Sequence, residues 1–299
     1  MSYNGIINVY KESGYTSHDV VAVLRGIFKQ KKIGHTGTLD PLAVGVLPVC
    51  LGSGTKLCEF LTDKDKEYKA VLRLGMTTDT QDLSGRIISE QKVLVTEEEV
   101  CSALNSFRGR IMQVPPMFSA LKVDGKKLYE LARDGKEVER KPRPAEIKEL
   151  EILRMDLPDI EFRLVCSKGT YVRTVCHDAG VLLGTGGAMK ALERTRSGEF
   201  LQADALTLAE IGELMKADKI TGVIKPVDSI FDQLTKVVVK DEYLKPVKNG
   251  NKLRSFTVLC QNKVLDGEEV RVYGEDSCFY GIYQYQEKEA AYRPVKMFL

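Results

Sequence analysis

The run Gly34-His35-Thr36-Gly37-Thr38-Leu39-Asp40-Pro41 places one acidic residue directly before a proline and two glycines around a histidine. Pro41 fixes its own φ and drives the preceding residue away from the α region, so Asp40 is held extended with its carboxylate aimed by the backbone. Gly34 and Gly37 permit close approach of a ligand, and His35 and Thr36 donate hydrogen bonds or stack. A helix beginning at Pro41 with Asp40 as its cap is the competing arrangement, but Gly45 and Pro48 would interrupt it almost at once. Further along, Tyr171 and Arg173 stand at a helix start. A cation there opposes the helix dipole, so Arg173 is misplaced unless an anion meets it. Paired with Asp40, it would keep that carboxylate ionised and oriented, and an ionised carboxylate is a nucleophile toward a sugar carbon. Tyr68 opens an alternating segment on its apolar side, as a rim or core tyrosine would.

Other chemistries have less to draw on. The seven cysteines (50, 58, 101, 166, 176, 260 and 278) are odd in number and contain no Cys-x-x-Cys pair, which suits reduced thiols in a cytosolic protein. The three histidines, His18, His35 and His177, form no His-x-x-x-His pair, so neither a metal site nor a metal-dependent mechanism is expected. A zinc deaminase is excluded, because His-x-Glu and Pro-Cys-x-x-Cys are both missing. The stretch Gly52-Ser53-Gly54-Thr55-Lys56 fits neither phosphate-loop spacing and reads as a turn before a helix over 55–61.

The elements that must position these groups show in the periodicity. Residues 5–10, 43–51, 67–74 and 161–167 read as strands. Thr16-Ser17 opens a helix with Val20, Val21, Leu24, Ile27 and Phe28 on one face, and Thr96 with Glu99 and Thr207 with Glu210 are capping boxes. The helix starting near Thr170 carries Val172, Val175, Cys176 and Ala179 inward, and a basic helix with Lys190, Arg194 and Arg196 is expected after the Gly184–Gly187 break. Past about residue 232 short β segments (237–239, 256–259, 270–273, 279–285) suggest a small β-rich module.

With 299 residues and a net charge of +2, the chain has no polyelectrolyte character, so any nucleic-acid contact must be local. Such a place exists. Residues 108–148 hold eleven Lys/Arg against six Asp/Glu, interleaved with Phe118 and Tyr129 and bracketed by Pro115-Pro116 and Pro142-Arg143-Pro144. That suits an arm lying along a phosphate backbone, although a solvated surface hairpin and helix would look similar. No apolar run is long enough to cross a bilayer and the start lacks a signal-peptide form, so a cytoplasmic location is expected.

Four motifs in order, Gly34 to Pro41, Tyr68 in its strand, Gln113-Val114-Pro115-Pro116-Met117-Phe118-Ser119-Ala120-Leu121-Lys122, and Cys166-Ser167-Lys168-Gly169-Thr170-Tyr171-Val172-Arg173, closely resemble the bacterial TruB family of tRNA pseudouridine synthases over residues 1 to about 230. The resemblance implies an α+β fold: a pseudouridine-synthase catalytic domain over 1–231 around a long, mixed, mostly antiparallel sheet flanked by helices. A C-terminal PUA or PUA-like RNA-binding module follows over 232–299. It also implies isomerisation of uridine 55 in the tRNA T-arm, without cofactor, by a monomer needing no protein partner. Asp40 would be the nucleophile, Arg173 its ion-pair partner, and Tyr68 the residue that stacks on the target base and relays its carbon 5 proton. His35 would help hold the T-loop open. Gly37, Thr38, Tyr171 and Leu192 would line the substrate site, and Lys122, Lys127 and Arg133 would grip RNA within an insertion over 113–150. The first family motif is only partly kept, with Lys11, Gly14, Thr16 and Ser17 present and Glu12 where proline is usual. Met189 and Phe118 also depart from common residues. The related guide-RNA-dependent enzymes and an RNA-binding chaperone are the rival readings.

Overall fold

The computed structural model describes residues 2–123 and 125–299. Its strands in chain order are β1 (Gly5–Lys11), β2 (Ile33–His35), β3 (Val44–Leu51), β4 (Lys66–Leu74), β5 (Met76–Thr78), β6 (Ile87–Glu90), β7 (Gly109–Gln113), β8 (Lys122–Val123), β9 (Lys126–Lys127), β10 (Arg143–Asp156), β11 (Asp159–Cys166), β12 (Gly187–Ser197), β13 (Phe200–Leu201), β14 (Thr235–Val239), β15 (Leu253–Arg254), β16 (Val258–Cys260), β17 (Glu269–Gly274), β18 (Phe279–Gln286) and β19 (Ala291–Met297). The α-helices are α1 (Ser17–Phe28), α2 (Cys58–Thr62), α3 (Glu97–Asn105), α4 (Leu128–Arg133), α5 (Val172–Leu182), α6 (Leu208–Lys216) and α7 (Leu244–Lys248).

A nine-stranded sheet runs β1-β3-β12-β4-β11-β10-β7, with β2 added on β3 and β13 on β12. Every pairing in it is antiparallel except β3 with β12. A second, six-stranded sheet, β15-β19-β18-β17-β14-β16, is built wholly from residues 235–297. This is the α+β, mixed and mostly antiparallel architecture with a β-rich C-terminal part that the sequence implies.

The helices begin where the capping boxes lie. Thr16, Thr96 and Thr207 each accept from the backbone N–H three residues on, while Asp19, Glu99 and Glu210 reach back to the cap. Val20, Val21, Leu24 and Phe28 of α1 bury against Ile7, Val9, Leu47 and Val49, together with Leu208 and Ile211 of α6. On the other face α5 lays Val172, Val175 and Cys176 against Leu72, Ile160, Phe162 and Leu164. A third cluster joins the two sheets, with Ile6, Val46 and Phe200 from one meeting Phe231, Ile282 and Phe298.

No helix starts at Pro41; residues 38–43 form an irregular loop, so Asp40 is not a helix cap, as Gly45 and Pro48 imply. Two local expectations change. Residues 187–197 form a central strand rather than a basic helix. Bulges between Met189 and Ala191 and between Arg194 and Arg196 break the two-residue period. The buried positions Met189, Leu192, Arg194 and Ser197 are then three, two and three residues apart, so the alternation that marks a strand is lost. Residues 55–61 also divide, into a 3-10 turn over Gly52–Leu57 followed by α2.

The excursion over 114–142 leaves the sheet at the end of β7 and returns into β10, and the two ends pair, Gln113 opposite Arg143. Between them lie the β8–β9 hairpin and α4. In the parallel pairing of β12 with β3, the position opposite Arg194, Gly45, demands glycine. Gly45 has φ +107°, and a β-carbon there would lie 2.2 Å from the Arg194 carbonyl oxygen. Gly45→Ala is therefore expected to lower unfolding free energy by about 3 kcal/mol or more in urea titration; a loss under about 0.5 kcal/mol, the usual range for a neutral surface change, would contradict this packing.

Candidate active site

The loop carrying Asp40 is tied down from three elements. The N–H and the hydroxyl of Thr36 both donate to the Pro48 carbonyl of β3, each at 3.2 Å. The Leu39 N–H donates to Ser17 Oγ of α1 at 2.9 Å. The Pro41 carbonyl accepts from the Gly14 N–H at 2.9 Å and from Lys11 Nζ of β1 at 3.1 Å. Lys11 is fully buried, which pushes its amine down to about 8 while Asp40 pulls the other way. Asp40 is thus fixed through its neighbours, not through its own side chain.

That side chain is left for Arg173. In the first turn of α5, its Nε sits 2.9 Å from Asp40 Oδ2 and its Nη2 donates to Oδ1 at 3.2 Å. The remaining donors go to the Phe118 carbonyl at 2.9 Å and the Thr80 carbonyl at 3.0 Å, with Asp82 Oδ2 3.6 Å away. The anion that the cation at a helix start requires is Asp40. The Arg173 side chain is 6% exposed and that of Asp40 36%, so the pair is anchored below and open above. Burial pushes the Asp40 carboxyl up, and Arg173 works against it, with Asp82 adding to the rise and Lys11 opposing. A two-point contact with a permanently charged guanidinium makes the carboxylate the resident form at neutral pH.

Tyr68 of β4 is 9% exposed and lies in one hydrophobic cluster with Leu39 and Leu192. Burial raises its phenol, and the nearby Arg194 guanidinium opposes that rise. His35 meets His18 edge-on at 5.4 Å, and its Nδ1 accepts from the Gly37 N–H at 3.3 Å. Burial, then the charges of His18 and Arg194, push His35 down to about 4, so it is neutral at pH 7 with its other nitrogen carrying the proton. Gly37 turns with φ +155° and its carbonyl accepts from Arg194 at 3.2 Å, while Thr38 is exposed beside it. The Tyr171 N–H and carbonyl exchange hydrogen bonds with the Gln113 amide, at 3.0 and 3.2 Å, locking the start of α5 to the root of the arm.

Asp40, Tyr68, Arg173, His35, Gly37, Thr38, Tyr171 and Leu192 therefore belong to one region of the fold. Lys122, Lys127 and Arg133 do not touch Asp40; they sit on the arm. Lys122 faces Lys127 across the hairpin, and Lys127 and Arg133 flank the Tyr129 ring, each 5.3 Å from its centre. Asp82, Lys11 and Arg194 were given no site role from sequence. Asp82 reads as an ordinary polar-loop residue, Lys11 only as a kept residue of the first motif, and Arg194 only as one cation of an expected basic helix. Among the described residues no three His, Cys, Asp or Glu side chains gather as a metal site would need, and no helix is long and apolar enough to cross a membrane.

Residues 25–172 match the family model described as TruB family pseudouridylate synthase (N terminal domain), and residues 173–232 match that of the tRNA pseudouridylate synthase B C-terminal domain. The tRNA pseudouridine synthase B of Lachnoclostridium phytofermentans is 50% identical over 306 residues, covering 99% of this chain and all of that one. Its counterpart in Clostridium tetani is 43% identical, covering 94% and 95%. Among solved structures, a chain of a Cbf5-Nop10-Gar1 complex superposes with a TM-score of 0.72 at 28% identity, covering 99% of this chain and 85% of that chain. A chain of an H/ACA RNP bound to a substrate RNA containing 2'-deoxyuridine gives 0.70 at 26% over the same shares. Full-length identity of this order, on a fold whose Asp40, Tyr68 and Arg173 converge from a loop, a strand and a helix, establishes that the chain belongs to the TruB family of tRNA pseudouridine synthases.

Proposed function

We propose that the chain converts uridine 55 in the T-arm of tRNA to pseudouridine with Asp40 as the nucleophile. The observation that carries this reading is the two-point contact between Arg173 and Asp40. It presents an oriented carboxylate whose upper side is open. Asp40 attacks the ribose C1′, and the pair of the C1′–N1 bond leaves with uracil as its anion. Trapped, the base turns until C5 faces C1′, C5 attacks, and the Asp40 ester bond breaks back to carboxylate. The C5 proton is then removed, its bond pair forms the C5–C6 double bond, and N1, which takes up the displaced pair, gains a proton, so the product is neutral. An alternative first step, in which Asp40 takes a ribose C2′ proton and a glycal forms, uses the same carboxylate position.

In this reading Tyr68, buried beside Leu39 and Leu192, stacks on the flipped base and accepts the C5 proton. A phenol is a weak base, with an ordinary pKa near ~10, so this role needs an electrostatic contribution from its surroundings. His35, neutral and wedged against His18, offers a flat face and one N–H to an opened loop without the cost of burying a charge. The arm over 113–150, with Lys122, Lys127, Tyr129 and Arg133, supplies phosphate contacts and an aromatic face. Because this chain carries its own basic arm, we read it as acting without a guide RNA and without a partner subunit, as a monomer in the cytoplasm.

The assignment is tested by incubating an unmodified tRNA transcript with the protein and mapping pseudouridine by carbodiimide adduct and primer extension. A single stop reporting position 55 is expected; stops elsewhere, or none, would overturn it. The histidine account has its own check. With only three histidines in the chain, the His35 ring resonance is expected to titrate near 4, well below the ordinary 6.5. Unfolded chain takes up that proton first as pH falls from 6.5 toward 4, so folding stability drops through this window and is retained above it. A His35 resonance titrating near 6.5 would show that the ring is solvated and not wedged as described.

A further inference from the structure

Arg194 is among the largest fully buried side chains in the molecule, 1% exposed. Buried guanidinium groups are ordinarily paired with carboxylates, as Arg173 is, because an unpaired charge away from water is costly. Arg194 is not so paired. Its Nε donates to the Val46 carbonyl at 2.6 Å and its Nη2 to the Gly37 carbonyl at 3.2 Å, and among the described residues no carboxylate lies within ion-pair distance of it. Two carbonyl dipoles satisfy hydrogen bonds without cancelling the charge.

The cation is placed with respect to one residue in particular. On the adjacent antiparallel strands β12 and β4, Arg194 is directly opposite Tyr68, so the two side chains leave the sheet together. The backbone of Arg194 is fixed from the other side by Gly45, where no β-carbon fits. Its guanidinium also holds the turn at Gly37, three residues before Asp40. Lys11 of β1, His35 of β2, Lys66 of β4 and Cys166 of β11 are the other titratable groups that feel its charge. Lys66 spends its amine on the Thr62 and Lys64 carbonyls, and Lys11 on those of Glu12 and Pro41. None of these is a resident anion. The Tyr68 oxygen is the group beside Arg194 that can gain or lose negative charge in the reaction.

We infer that Arg194 is a positioning residue for Tyr68: it fixes the phenol oxygen over the site and, as a buried cation without a counter-ion, favours the negative charge that oxygen must carry to accept the C5 proton. This rests on the reading of Tyr68 as the residue acting on carbon 5. It supplies the electrostatic contribution that a tyrosine base requires, and Arg194 itself touches no substrate. The direction of its effect agrees, since Arg194 lowers the Tyr68 phenol against a larger rise from burial.

The test combines Arg194→Met with site-specific replacement of Tyr68 by a ring-fluorinated tyrosine, whose phenol is more acidic at nearly the same size. In single-turnover assays with tRNA, Arg194→Met is expected to slow pseudouridine formation by about 100-fold, with tRNA affinity within about threefold of wild type, a change under 1 kcal/mol. Fluorination at position 68 is expected to recover at least about tenfold of that loss, a share of what one proton-transfer group contributes. A merely structural arginine would give the same loss with either ring. Equal loss with tyrosine and fluorotyrosine would therefore overturn the inference. Should Arg194→Met fail to fold, Arg194→Lys gives the same comparison: it keeps the cation, loses one of the two carbonyl contacts, and is expected to show a smaller, fluorine-rescued loss. Tyr68→Phe separates the two levels of argument. Full activity in Tyr68→Phe would sink the Tyr68 reading itself, whereas an inactive Tyr68→Phe with no fluorine rescue sinks only the role given to Arg194.

Discussion

The Arg173 guanidinium is the constraint on which the site depends. It commits its donors to three segments far apart in sequence: the Asp40 carboxylate, the Thr80 carbonyl with Asp82 beyond it, and the Phe118 carbonyl at the root of the arm. Those segments come from the loop between β2 and β3, the hairpin loop after β5, and the excursion between β7 and β10. No sheet hydrogen bond would hold them in register with one another. A planar fork of five donors does, and once buried it cannot be left with a partner missing, since breaking a buried pair costs about 3–5 kcal/mol. The same contact sets the chemistry. It orients both carboxylate oxygens from below, favours the ionised form against burial, and leaves the upper side free for a ribose carbon.

Around that contact the interior is biased positive. Lys11, Lys66, Arg173 and Arg194 are all buried, against Asp40 and Asp82 as the carboxylates beside Arg173. Burial lowers both lysines to about 8, and each offsets the cost by donating to two backbone carbonyls. A net +2 chain therefore places two cations, Arg173 and Lys11, where they act on one open carboxylate. For a reaction in which the base departs as an anion and a proton later leaves carbon, preorganised positive charge lowers the energy of the charged intermediates without solvent reorganisation. The basic arm does different work. Its cations are surface groups around the Tyr129 ring, suited to a screened, salt-sensitive hold on phosphates.

Much of this was legible from sequence where the signal is local. The Asp-Pro pair excluded a helical Asp40, two capping boxes and Thr16-Ser17 marked three helix starts, and alternation located β4 and β11. Arg173 announced itself through a local conflict, a cation at a helix N-terminus, which only a distant anion resolves. Signals that depend on distant partners were not legible. β12 read as a helix because two bulges break its alternation, and Arg194 was read only as one of that helix's cations. Asp82 looks like any turn aspartate, since its importance lies in an arginine about ninety residues away. The last strand, β19, carries Pro294 and lacks clean alternation, yet it is stitched to β18 along most of its length. Nor does the sequence reveal that Phe231 and Phe298 pack into a cluster shared by both sheets.

The account stands or falls on the Asp40 carboxylate. The most direct measurement follows release of tritium from carbon 5 of uridine in a tRNA transcript, with the wild-type protein and with Asp40→Asn. The wild type should release about one equivalent per tRNA, and Asp40→Asn, which keeps the shape of the side chain but not its charge, should release none while still binding tRNA, because it lacks the carboxylate proposed as the nucleophile. Release by Asp40→Asn at the wild-type rate would show that the carboxylate held by Arg173 is not the reacting group.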